Sequence, residues 1–182
     1  NETGYKNLIK MVSAGFTEGF YSKPRIDKQL LEKYHDGLIC LSACLAGEIP
    51  KALLAGDYDR ARQTALWYRD LFGAENYYIE LQDHGLEEDQ AVLPQLIRLA
   101  RETGIATNDA HYITKEDAKM QSILLCIQTG KTINDVDRME FQTDEFYLKS
   151  TDEMYDLFSM VPEACENTNK IAEQCNFEFT FG

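Results

Sequence analysis

The stretch "NYYIELQDHG" (residues 76–85) mixes β-forming residues with polar ones and closes on glycine. Tyr77, Tyr78, Ile79 and Leu81 give it strand character, and Gly85 supplies the stop. Alternation along a strand puts Tyr78, Glu80, Gln82 and His84 on one face, with Ile79 and Leu81 on the other. Three polar side chains in a row on one face of a buried strand are costly unless they are hydrogen-bonded or bind a ligand. This strand is therefore expected both to lie in a sheet and to carry polar groups to its edge.

Working outward, short apolar runs alternate with helical patterns. "GLICLSACL" (37–45) and "IATND" (105–109) read as strands before and after it, and "EFYLKS" (145–150) as a fourth. Between them lie "GEIPKALLAGDYDRARQTALWYRDLFG" (47–73) and "LEEDQAVLPQLIRLARETG" (86–104). The first reads as a short helix begun near Pro50 and a longer one capped by Asp57 and ended at Gly73. The second is amphipathic through Leu93, Leu96, Ile97 and Leu99, interrupted at Pro94 and ended at Gly104.

Upstream, "GYKNLIKMVSAGF" (4–16) presents Leu8, Ile9, Met11, Val12 and Phe16 as one broad apolar stripe. A helix in "PRIDKQLLEKYHDG" (24–37) is capped by Asp27 and stopped by Gly37. Downstream, Thr114 opens a helix that stops at Gly130; Ser150 with Glu153 forms a capping box; Pro162 starts the last helix. Strands alternating with helices three times over predict an α/β fold: a partial βα barrel with largely parallel strands and extra C-terminal helices. No linker or repeat divides the chain, so residues 1–182 are expected to form one domain, with a barrel portion over 1–150 and a helical exit segment over 151–182.

Composition narrows the function classes. Apolar residues make up 44% and aromatics 11%, enough for a real core. Thirty-one acidic against eighteen basic residues leave a net charge of −13, which repels phosphate backbones. Any action on DNA would need another region to hold it. Five cysteines in mostly apolar or helical settings favour a reducing, cytoplasmic compartment, and no apolar run reaches membrane-spanning length.

The chemistry-bearing residues cluster at strand ends. Asp109 and His111 are two apart after the third strand, and Cys40, Ser42 and Cys44 share a face of the first. A barrel carries its reactive groups at that end. Cys44, Asp109 and His111 are then candidate ligands of a divalent metal, with Glu80 and His84 as further candidates. The sulfur–nitrogen–oxygen mixture favours zinc, admits manganese or iron, and disfavours magnesium or calcium. The bland alternatives stay open. Asp-x-His after a strand also makes an ordinary hydrogen-bonded turn, Cys44 a small buried hydrophobe, and Glu80 with His84 a satisfied polar network.

Eight blocks, "NETGYKNLIKMVS", "GFYSKPRID", "LSACLAGEIP", "YIELQDHG", "ATNDAHYI", "LLCIQTGKT", "EFYLKS" and "NFEFTFG", resemble in this order the PHP (polymerase and histidinol phosphatase) domain of bacterial DNA polymerase III alpha subunits. The resemblance implies a distorted, TIM-like βα barrel whose mouth holds His, Asp, Glu and Cys ligands. Asp109 and His111 match its closing Asp-x-His pair, and Cys44 the cysteine of "LSxCL". The family's opening His-x-His strand has no counterpart here, and "ETGIATND" is shorter than the family's usual segment, so a metal held by these residues alone should be weak or missing.

The resemblance further implies a part of a DNA-directed DNA polymerase active in replication. The domain would brace the polymerase and carry a metal-dependent phosphoesterase or 3′–5′ exonuclease centre. Its partners would be the rest of the alpha subunit, DNA through that subunit, and proofreading or clamp-associated replisome subunits. A non-catalytic scaffold and a histidinol-phosphatase-like metal phosphatase are the alternatives.

Overall fold

The computed structural model describes residues 1–100 and 104–182. In chain order they form α1 (Glu2–Thr17), α2 (Lys28–Tyr34), β1 (Cys40–Leu41), α3 (Glu48–Leu54), α4 (Tyr58–Phe72), β2 (Tyr77–Leu81), α5 (Glu87–Ala100) and β3 (Gly104–Ala106). A 3-10 turn (Lys115–Asp117), α6 (Ala118–Thr129), α7 (Thr151–Leu157) and α8 (Pro162–Gln174) follow. The strands lie in the order β1-β2-β3, all parallel, with Cys40 opposite Tyr77 and Ile79 opposite Gly104. Parallel neighbours need long crossovers, and α3 with α4, then α5, supply them. The result is a mixed α/β fold with an open parallel sheet, in keeping with part of a PHP-type barrel.

The helix ends follow their capping chemistry. Asp27 and Asp57 accept the Leu30 and Arg60 backbone N–H groups at 2.8 and 3.0 Å. Gly130 ends α6 in the left-handed conformation, and Ser150 with Glu153 completes a capping box on α7. Thr114 also caps as expected, although the helix opens with a 3-10 turn. The core gathers Ile49, Ile79, Leu81, Val92 and Phe158 between the sheet and its helices. α8 joins β3 through Asn167, whose Nδ2 donates to the Gly104 carbonyl at 2.7 Å.

Four expectations are corrected. The apolar stripe of α1 faces outward: Leu8, Ile9, Val12 and Phe16 are exposed, and the buried face is Gly4, Asn7, Met11 and Gly15. The cause is close packing, since a Cβ on Gly4 would sit 2.0 Å from the Gly37 carbonyl oxygen, while Asn7 donates to the Asp36 carbonyl at 3.1 Å. "EFYLKS" is no sheet strand; Tyr147 makes one isolated parallel bridge to Tyr112. Of its apolar side chains only Phe146 is buried, Leu148 being exposed, and its Ser150 is taken by the α7 cap.

α5 runs on through Pro94, because burial of Val92, Leu93 and Leu96 offsets the backbone hydrogen bond that proline removes. Its expected course over 101–103 lies outside the described residues. Finally, β1 stops at Leu41, where a left-handed Ala43 (φ 66°) and a Gly47 N–H to Cys44 carbonyl bond (2.8 Å) turn the chain. Cys44 therefore lies on a turn rather than on the strand face with Cys40.

Candidate metal centre

Pairing between β2 and β3 continues one residue past β3, where the Thr107 N–H donates to the Leu81 carbonyl at 3.0 Å. Here the polar face of β2 finds its partners. Gln82 Nε2 donates to Glu80 Oε1 at 2.9 Å and to Thr107 Oγ1 at 3.1 Å, and the Thr107 hydroxyl donates to the same Glu80 oxygen. Ser42 Oγ accepts the Glu80 backbone N–H at 2.8 Å, tying the end of β1 to the same spot. The Glu80 side chain is thus surrounded by neutral donors. Its cavity is lined also by Cys44, Gln82 and Asp89.

His84 is a packed, fully engaged side chain. It is buried, its ring stacks on Phe146 with centroids 4.0 Å apart, and its carbonyl accepts the Thr143 hydroxyl at 2.9 Å. Nε2 lies 3.2 Å from the Asn108 carbonyl and Nδ1 lies 3.4 Å from Asp89 Oδ2. With both ring nitrogens facing protein oxygens, the arrangement is that of a structural histidine. Asp89 is the residue that sequence reasoning missed. Nothing in "LEEDQ" separates it from Glu87 and Glu88 except that its turn of α5 faces inward.

Asp109 and His111 lie beyond β3, not on it. Asp109 adopts a left-handed backbone (φ 47°), and the bend brings its Oδ1 to 3.5 Å from His111 Nε2. The expected pairing occurs, through a turn instead of a shared strand face. The His111 backbone N–H donates to the Phe146 carbonyl at 2.8 Å, and its ring rests against Phe141 and Phe146. Both side chains remain partly exposed, so a ligand can reach them. Immediately before them, Asn108 buries Oδ1 and Nδ2 with no hydrogen-bond partner among the described residues. A buried amide in that state calls for a water or ligand atom beside it.

The described residues therefore form two sets: Cys44 and Glu80 around one cavity, Asp109 and His111 at the rim. Among them no group of three or more His, Cys, Asp or Glu side chains is arranged to hold a metal. The rim pair suits a divalent cation in kind, one oxygen and one nitrogen donor, but makes half of a tetrahedral set. Among the described residues no helix is long and apolar enough to cross a membrane.

Residues 1–84 match the PHP domain family, and the open parallel sheet with its polar strand ends fits that class. Along its whole length it is similar to DNA polymerase III subunit alpha of several bacteria. It is 48% identical to that of Borreliella burgdorferi over 185 residues, covering 100% of this chain and 16% of that protein. Identity to the Treponema pallidum protein is 52% over 179 residues, covering 97% of this chain and 15% of that protein. For Deinococcus radiodurans it is 47% over 185 residues, 98% of this chain and 14% of that protein. The chain thus spans 14–16% of the length of these relatives.

Proposed function

We propose that the chain serves as the PHP-domain segment of a replicative, cytoplasmic DNA polymerase alpha subunit, and that Asp109 and His111 are two ligands of a divalent metal centre completed by residues outside these 182. The observation that carries this reading is the adjacent Asp109–His111 pair, set beyond the end of β3 in a chain 48% identical along its length to an alpha subunit. Zinc is the favoured metal, with manganese or iron as alternatives. Cys44 and Glu80 belong to the centre only if its completion draws their cavity and the rim together. A metal held by Asp109 and His111 would supply Lewis-acid chemistry suited to hydrolysis of a phosphodiester at a DNA 3′ end.

The protein's own share is positional. The left-handed turn at Asp109 aims its carboxylate at His111, and Phe141 and Phe146 fix the imidazole plane. The DNA would be held by the rest of the subunit, because a chain of net charge −13 repels it. The division into a barrel portion (1–150) and a segment leading toward the polymerase (151–182) belongs to the same proposal, as do contacts with proofreading or clamp-associated subunits.

A second reading, a scaffold that braces the polymerase without chemistry, is favoured by the same negative charge and by the split of the candidate ligands into two sets. Metal analysis of the full-length subunit separates the two. Near-stoichiometric transition metal that falls by at least half in His111→Ala supports the metal centre. Absence of metal from the wild-type subunit supports the scaffold.

A further inference from the structure

The charge of this chain is unevenly spent. Three of its seven arginines, Arg62 and Arg69 on α4 and Arg98 on α5, line one cleft of about 490 Å³ whose floor reaches Tyr77 and Ile79 of β2. No carboxylate is among the described residues that line it, in a chain with thirty-one acids. Arg62 makes no hydrogen bond or ion pair among the described residues. Arg98 pairs with no acid among them and lays its guanidinium over the Tyr58 ring, 4.8 Å from the centroid. Arg69 bonds Asp70 through an exposed pair at 2.7 Å, which costs little to exchange for another anion. The other walls are apolar, Leu66 and Leu99.

From this we infer that the α4–α5 cleft binds a nucleotide, its phosphates between Arg62, Arg69 and Arg98 and its base against Tyr58 and the leucines. Arg62 and Arg98 have no counter-charge among the described residues and Arg69 has only the exposed Asp70, so the three repel one another and a phosphate removes that repulsion. Arginine forks match phosphate oxygens in pairs, which lysines do not. The volume suits a small ligand, within the ordinary range of about 300–1,000 Å³ for such sites. A long polyanion fits less well, since its flanking phosphates would meet the acidic surface that gives the chain its −13 charge. The cleft lies toward the N-terminal ends of β2 and β3, whereas Asp109 and His111 follow the C-terminal end of β3. The two sites are separate, and either stands without the other.

Calorimetric titration of the purified chain with ADP, adenosine, inorganic phosphate and a single-stranded oligonucleotide tests this. ADP should bind saturably with a Kd below about 1 mM, and tighter than adenosine or phosphate alone by about tenfold. Arg62→Ala/Arg98→Ala should weaken ADP by about tenfold or more, and Arg62→Glu, one exposed position, should do the same with an unchanged melting temperature. Lys23→Ala/Lys119→Ala, which removes two positive charges elsewhere, should leave ADP binding intact. The proposal is overturned by absence of saturable ADP binding, by equal weakening in the lysine variant, by phosphate binding as well as ADP, or by tighter binding of the oligonucleotide.

Discussion

Asp89 closes on His84 from two directions: its Oδ2 accepts the His84 backbone N–H at 2.9 Å and stands 3.4 Å from Nδ1 of the same residue. Both side chains are buried, so the pair locks the loop after β2 onto the first turn of α5. Burial pushes the Asp89 carboxyl up, but the bonds from His84 outweigh it and hold the group below its usual range.

Removing one partner of a buried pair leaves the other unsatisfied, so Asp89→Ala should cost about 3 kcal/mol in urea unfolding. Because the folded pKa is lowered, the carboxylate's contribution is present above the ordinary value, about pH 4, and fades as pH falls through the lower folded value. The stability gap between wild type and Asp89→Asn should shrink over that acidic window. A gap independent of pH would contradict the assignment.

Gly4→Ala should destabilise the chain although alanine is the better helix former by about 1 kcal/mol. The new Cβ would lie 2.0 Å from the Gly37 carbonyl oxygen and 2.5 Å from its carbon, and backbone atoms cannot swing aside. A net loss of about 2 kcal/mol is expected, against a change within about 0.5 kcal/mol for Leu8→Gln on the exposed face. Thermal melts of the two variants check the inverted orientation of α1 directly.

The cysteines should react in an order set by exposure and burial. Cys175 is exposed, Cys126 and Cys165 are buried, and burial pushes the Cys40 thiol up to about 11, leaving almost no thiolate at neutral pH. Timed iodoacetamide labelling read by peptide mass spectrometry should find Cys175 modified first and Cys40 among the slowest. Early labelling of Cys40 would mean that β1 opens readily.

The α7 cap should be acid-sensitive only at low pH. The Tyr147 hydroxyl, donating to Glu153 at 2.6 Å, and the bonds from Ser150 pull the Glu153 carboxyl down to about 2, while the same carboxylate pushes Tyr147 up to about 12. With the folded pKa lowered, the cap is fully formed above the ordinary carboxylate range and weakens as pH falls toward 2. In Tyr147→Phe the Glu153 midpoint, followed by carboxyl NMR, should move up toward that ordinary range. An unmoved midpoint would assign the shift to Ser150 alone.

Local chemistry was legible without coordinates. Asp27, Asp57, Gly130 and the Ser150–Glu153 box mark helix ends because a cap needs only atoms within four residues of one another. The alternation of strand and helix also sufficed for a parallel α/β fold, since parallel neighbours cannot be joined by a tight turn. Asp109 and His111 could be paired from their spacing, because two residues apart they meet either on a strand or in a bend.

Contacts between distant segments were decided elsewhere. The side of α1 that is buried depends on Gly37 arriving at Gly4, and close backbone approach overrode the apolar stripe that periodicity pointed inward. His84 became a packing residue because Asp89, Asn108 and Phe146 surround it, and the gathering of Arg62, Arg69 and Arg98 required α4 and α5 to lie side by side. Sequence alone determined the helices, the three paired strands and their order, which short-range bonding and solvent partition dictate. Only the tertiary structure determined which charges and ring nitrogens meet, because that follows from how the crossovers return each helix to the sheet.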